Sequence, residues 1–511
     1  MPTNYFDVVV IGMKLEGLLV ASLLAKRGFR ILVVGHGDSP PWYELNGMSL
    51  PRSPNPIIAM SSPVVQRVLR ELALFQSFRR RMEFPDPSMQ VVLPERRFDF
   101  SKNDTDLERE IDREFPEVKR PVEEFHKACQ CVQRILDGML SKDLVWPPES
   151  FFEKREFSKA SSDLDLNQAD CLSKEPFGEF SERHPFRMMV DAPVRFLTDL
   201  DPDQIGPYTR YRAYGHWLHG PGHLRGGTRW LYGELLQKIG SCTGEVRSQD
   251  RVDRILLRRG AVHAVQLKGV EGEIGCGFVI ANCQLASLLS LVPNRGSFEE
   301  QLERLGEPQT AYDRYTVNVV LDADGIPEGM GRRVYMIRDT SKPRVEDNLL
   351  HIERSELASG THLLCIETLM NRRGMEGVAE YRDQARERVL TSLRQLIPFL
   401  DNHLRWVDSP HDARDAQDTR NNRSVASEQP WTRGPHTMEG ISSFPLLGPL
   451  GACALPVRTP IRRLMFCNAQ VVPGFGTEGR FLAAWTAARI VTKADSKKDW
   501  MRRGLWTRVE L

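Results

Sequence analysis

Phe6-Asp7-Val8-Val9-Val10-Ile11 is an almost unbroken β-branched run, the pattern of a strand covered on both faces. A glycine-bearing turn follows from Gly12 to Gly17. An apolar helix then runs over Leu18–Lys26 and is closed by Gly28, where a left-handed cap is favoured. Phe29 to Val34 predicts a second buried strand. Strand, turn, helix and strand in such quick succession make a βαβ unit and imply a parallel sheet.

Beyond it, Pro40–Pro56 is rich in Pro, Gly and Asn and predicts a long loop. Residues 62–140 predict mainly helix, with helical apolar spacing from Val122 to Leu140. The polar stretch 153–176 predicts a surface loop or disordered insert. A new organised block spans Tyr214 to Pro293. It holds a helix over Trp230–Lys238 and strands over Val252–Leu257, Ala261–Leu267 and Phe278–Ala281, the first two forming a hairpin. Tyr315–Leu321 and Leu363–Thr368 predict further strands, and Val378–Leu400 a long amphipathic helix. Residues 408–437 predict a long polar loop, and Leu464–Lys493 a strand, glycine turn and helix.

The 511 residues carry 69 Lys plus Arg against 68 Asp plus Glu, a net charge of +1. That balance argues against a dedicated nucleic-acid binder, which carries a basic excess on one face. The nine Cys include no C-x-x-C pair, which argues against a disulfide framework or zinc ribbon and for a reducing, cytoplasmic setting. The apolar run Leu18–Leu24 falls far short of the roughly 18 residues that span a bilayer. His216, His219 and His223 are spaced like metal ligands, but Gly220-Pro221-Gly222 breaks any helix that would align them, so no metal is expected. No serine-hydrolase elbow, zincin helix or phosphate loop occurs.

Three glycine segments carry the candidate chemistry. In Gly12-Met13-Lys14-Leu15-Glu16-Gly17 the outer glycines of a dinucleotide turn are present, but Lys14 stands where a pyrophosphate would approach. The acid that holds a ribose at the end of the second strand is missing. Val34 is followed by Gly35 and His36, with Asp38 and Glu44 at the wrong spacing. The second segment, Gly226-Gly227-Thr228, opens a helix that leads on to Gly244-Glu245-Val246 and Val252. In the third, Pro473-Gly474-Phe475-Gly476 again precedes a helix. Each helix start offers backbone N–H groups to an anion.

In this order, and with Thr459-Pro460-Ile461 and Leu464 ahead of the last turn, the segments resemble the flavin-dependent amine oxidase and phytoene desaturase superfamily, whose fold Rab escort proteins and GDP-dissociation inhibitors share. The resemblance implies an α/β fold. A discontinuous Rossmann-like, FAD/NAD(P)-binding domain would comprise residues 1–60, 214–293 and 440–495. A mixed α+β substrate or cap domain would comprise 61–213 and 294–439, with a basic tail over 496–511. It implies FAD as cofactor, held by Gly12, Lys14, Gly17, Gly35, Gly226, Gly227, Thr228, Val252, Pro473, Gly474, Phe475 and Gly476.

Two functions follow from the resemblance. One is an oxidoreductase with weakened FAD binding, transferring hydride from a lipophilic or amine-bearing substrate; no catalytic residue is singled out. The other is a non-catalytic protein that has lost FAD and binds a lipid or a protein partner. The tail, with Trp500 and Trp506 among its cations, is suited to peripheral membrane contact.

Overall fold

A computed structural model of the chain describes residues 5–495 except 102, 163–180, 182, 219–220, 243, 359, 373–378, 413, 422 and 426–432. The basic tail lies outside the described residues.

The β-branched run forms the strand Tyr5–Ile11 at the centre of a seven-stranded sheet. Val8–Ile11 pairs in parallel with Ile31–Val34 on one side and with Phe278–Ala281 on the other. Outside these lie Glu245–Arg247 at one edge and the hairpin Val252–Arg258/Ala261–Leu267 at the other. Leu464–Phe466 pairs in parallel with the end of Ile274–Ala281.

The helix Leu15–Lys26 is buried almost all round. It packs against Gly227–Ser241 and Gly476–Ala494, the helices opened by the other two glycine segments. The three helices that the glycine segments open therefore pack together in one Rossmann-like unit.

The second sheet has ten strands built around the long strand Gln309–Asp322. Thr361–Asn371 and Leu404–Asp408 flank it antiparallel, and Glu439–Ser443 pairs with its first half. Leu349–Ala358, Arg333–Ile337 and the hairpin Met89–Leu93/Arg96–Phe100 complete one wing. The helix Ala379–Leu396 contributes Val389, Leu390 and Leu393 to this sheet's core.

Four stretches differ from the sequence expectation. Within Pro40–Pro56, Trp42–Leu45 and Met48–Pro51 form a hairpin. Its turn residues Asn46 and Gly47 both have positive φ, 48° and 75°, the backbone an Asn-Gly hairpin turn requires. The mainly helical 62–140 region contains the hairpin Met89–Phe100 as well as the helix Lys119–Ser141. Residues 153–162 of the expected polar loop fall in the helix Phe151–Ser162, and the rest of that stretch lies outside the described residues. Within 408–437, Ala416–Asp418 and Arg423–Val425 add short edge strands. In the three that form strands, tertiary pairing overrides local composition.

Candidate functional site

The glycine turn owes its shape to Asn282. This residue ends the strand Ile274–Ala281, donates its backbone N–H to the Ile11 carbonyl at 2.7 Å, and donates its amide to the Cys467 carbonyl at 2.7 Å. It thus ties three parallel strand ends together. A Cβ at Gly12 would lie 2.5 Å from the Asn282 carbonyl oxygen, and one at Gly17 2.4 Å from Asn282 Oδ1. Gly12 also has φ +109°, which favours glycine. Both outer glycines are therefore required by packing alone, with or without a nucleotide.

This account predicts a coupled pair of mutations. Gly17→Ala should cost about 2 kcal/mol through overpacking. In the Asn282→Ala background the same change should cost much less, because the obstructing amide is gone and only the Cβ, 3.0 Å away, remains. A double-mutant cycle by urea denaturation measures the coupling, and additive losses would refute the packing role.

Lys14 caps the helix in an extended conformation, φ −69°, ψ 171°, with its side chain half-exposed and its Nζ 3.8 Å from Glu439 Oε1. Burial works against its charge, but Glu439, Asp38 and Glu16 together outweigh that and raise its pKa. The N–H of Met13, inside the glycine turn, donates to Asp38 Oδ2 at 2.7 Å. Burial raises the Asp38 pKa, against the opposing pull of Lys14 and of this hydrogen bond. Asp38 is thus an acid at the wrong spacing for a ribose but the right one to fill the turn. The positive-φ pair His36 and Gly37 swings it back there, and that G-H-G-D turn was its signal in the sequence.

Behind the turn sits Arg480. It forms a two-pronged pair with Asp199 at 3.1 and 2.9 Å, reaches Glu439 at 3.2 Å, and lies 3.6 Å from Glu16. Glu16 is 1% exposed, and neither carboxylate oxygen has a hydrogen-bond partner among the described residues. Burial pushes its pKa up, with Arg480 opposing. Burial also disfavours the Glu439 carboxylate, yet Arg480 and Lys14 prevail and hold its pKa down at about 2. Arg314 extends the cluster, 3.7 Å from Asp199 and 3.1 Å from Glu367. Glu16, Asp38, Asp199, Glu367 and Glu439 thus set five carboxylates against three cations, Lys14, Arg314 and Arg480.

The other two segments are closed by the chain's own groups. Asn55 Oδ1 accepts from the Thr228 N–H at 2.9 Å and hydroxyl at 3.3 Å, and a Cβ at Gly227 would lie 2.2 Å from it. Gly226 caps that helix. Val252 is a buried strand residue whose N–H donates to His36 Nδ1 at 3.2 Å. At the last turn, the Pro473 carbonyl accepts from the Asp199 N–H at 2.9 Å. A Cβ at Gly474 would lie 2.6 Å from Ala452 Cα, and one at Gly476 1.8 Å from the Leu197 carbonyl oxygen. Phe475 is buried against Trp146. The cavity bounded by Leu197, Arg212, His216, Phe475 and Glu478 holds only about 30 Å³, the room of a water molecule. Gly35 is pinned differently: a Cβ there would lie 1.9 Å from the Ser248 carbonyl oxygen.

His216 and His223 take separate partners. His216 meets Glu478 at 3.3 Å and His223 meets Glu353 at 3.1 Å, while His219 lies outside the described residues. No cluster of metal-ligating side chains occurs among the described residues.

No protein-family model matches the chain, and no curated protein matches it in sequence. Solved structures do match in fold. Cyclohexylamine oxidase from Brevibacterium oxydans superposes with a TM-score of 0.54 at 14% identity, over 95% of this chain and 98% of its own. An oxidoreductase from Methanosarcina mazei gives 0.53 at 14% identity, over 94% and 99%. The PF1083 protein from Pyrococcus furiosus gives 0.52 at 14% identity, over 95% and 97%. The chain has the flavin amine oxidase fold. Identity this low carries the architecture and nothing about chemistry.

The glycine turn does not suit the cofactor that the fold implies. A pyrophosphate needs free backbone donors and a local excess of positive charge. Here the Met13 donor is used by Asp38, and the Lys14 charge is matched by Glu439 and Asp38. Among the described residues, no helix is long and apolar enough to cross a membrane.

Proposed function

We propose that this chain is a non-catalytic binding protein on the flavin amine oxidase fold, whose dinucleotide turn is occupied by its own charged side chains. The observation that carries the reading is the Met13 N–H donated to Asp38, which replaces the anion of a cofactor with a carboxylate from the next turn. The packing of Gly12 and Gly17 on Asn282, and of Gly227 on Asn55, supports it by giving these glycines a role without FAD.

The test is a visible absorbance spectrum of the purified protein, repeated after incubation with excess FAD and desalting. The expected result is no flavin bands in either sample. Stoichiometric flavin bands in either one would overturn the reading and return the chain to the oxidoreductases.

A further inference from the structure

The helix Phe151–Ser162 is apolar on its outer face as well as its inner one. Inward, Ala160 is buried and Phe157 packs edge to face on Trp146, with ring centroids 4.8 Å apart. Outward, Phe151 and Phe152 are 74% and 72% exposed. Their rings meet edge to face, 5.8 Å apart.

The pair is held in place by the helix start. Ser150 and Glu153 form a capping box, the Ser150 N–H donating to Glu153 Oε2 at 3.0 Å and the Glu153 N–H to Ser150 Oγ at 3.3 Å. Arg458 grips the Glu153 carboxylate with two bonds, at 3.1 and 2.7 Å. Its backbone N–H donates to Glu149 Oε1 at 3.1 Å. Two rings fixed side by side in water mark a contact surface.

The charges around the rings identify what covers them. Arg155 and Lys159 fall within the same sector of about 100° around the helix axis as Phe151 and Phe152, with Lys154 on its flank. All three cations are exposed and form no ion pair among the described residues. Of the helix's two acids, Glu153 is taken by Arg458, which leaves Glu156. Aromatic rings beside unpaired cations suit the headgroup layer of an anionic bilayer.

The same chemistry recurs in the tail, where Trp500 and Trp506 stand among Lys497, Lys498, Arg502 and Arg503. Both elements are tied to one helix. Gly476–Ala494 precedes the tail, and its Thr486 hydroxyl accepts from the N–H of Trp146, on which Phe157 rests. Stable attachment to a lipid surface takes two such signals.

We propose that the outer face of the helix Phe151–Ser162 docks on an anionic lipid surface. Phe151 and Phe152 enter the headgroup layer, while Arg155, Lys159 and Lys154 meet the lipid anions. The assignment goes beyond the reading of the glycine turn and stands whether or not FAD binds there.

The test is co-sedimentation of the full chain with vesicles of phosphatidylcholine, alone and mixed with phosphatidylserine. Binding is expected to the mixed vesicles only, weakening with salt. Phe151→Ser with Phe152→Ser should weaken it by roughly tenfold or more, through the loss of two buried rings. Arg155→Gln with Lys159→Gln should weaken it by roughly tenfold and flatten its salt dependence. All four side chains are exposed, and thermal midpoints matching the parent's show that the variants remain folded. Sedimentation velocity without lipid tests the other occupant, a second copy of this chain. Absence of binding to both vesicles, or binding that the phenylalanine variant leaves unchanged, would overturn the proposal. So would self-association that the phenylalanine variant abolishes, which would assign the rings to a dimer contact.

Discussion

Arg480→Met is expected to lower stability at neutral pH by about 3–5 kcal/mol, the cost of leaving buried partners unpaired. The arginine is the shared counter-ion of Asp199, Glu439 and Glu16. Without it Glu439 keeps Lys14 at 3.8 Å and Asp199 keeps Arg314 at 3.7 Å. Glu16, 1% exposed, keeps no ion pair among the described residues. The methionine fills similar volume, so the loss reports charge and not a cavity.

The variant's pH dependence carries the sign of the effect. Loss of Arg480 raises the folded-state pKa of Glu16 further above its unfolded value near 4.3. The folded state then binds more protons than the unfolded one, so stability is greatest below that unfolded value. It is lost as pH rises from there through the raised folded value. The parent's Glu439 behaves oppositely. Its pKa is held at about 2, so its contribution is present above the unfolded value and lost as pH falls toward 2. Urea midpoints of parent and variant between pH 4 and 8 (a range of about four units around these values) should therefore converge at the acid end. Adding Glu16→Gln to the variant should recover stability at neutral pH. A loss below about 1 kcal/mol with no slope in pH would mean that Arg480 is solvated and not structural.

Much of the fold was legible because the βαβ unit, the hairpin over 252–267 and the C-terminal strand–turn–helix depend on local runs of apolar residues. Val8–Ile11 could hardly be anything but a covered strand. The hairpins at 42–51 and 89–100 were hidden, since their stability comes from the partners they meet and not from their own composition. The site was half legible. Lys14 and Gly35 stood out as departures from the dinucleotide pattern. The groups that give those departures meaning come from far along the chain. Asn282 and Glu439 join the turn only through sheet topology, and no spacing rule links them to residue 14. Asp38 was visible but was measured against a ribose acid's position, which concealed its role as acceptor for Met13.

Gly35 shows why the departure cannot simply be reversed. The most direct repair of the motif pairs Lys14→Gly with Gly35→Glu, to clear the turn and restore a ribose acid. Yet a Cβ at position 35 would lie 1.9 Å from the Ser248 carbonyl oxygen, 2.7 Å from its carbon and 3.0 Å from its Cα, all backbone atoms. The Gly35 N–H donates to the Arg247 carbonyl at 2.9 Å, continuing the parallel pairing of Ile31–Val34 with Glu245–Arg247. Any side chain must therefore push the edge strand away from the sheet. Even Gly35→Ala should cost about 3 kcal/mol or more, and the Lys14→Gly/Gly35→Glu pair should fail to fold rather than acquire flavin. Lys14→Gly with Asp38→Asn adds no atom that meets backbone and leaves an amide oxygen to accept from the Met13 N–H, so it should fold with a loss of only about 1 kcal/mol. Thermal unfolding of both pairs separates the outcomes. A Gly35→Glu chain as stable as the parent would mean that the strand Glu245–Arg247 does not lie where it pins Gly35.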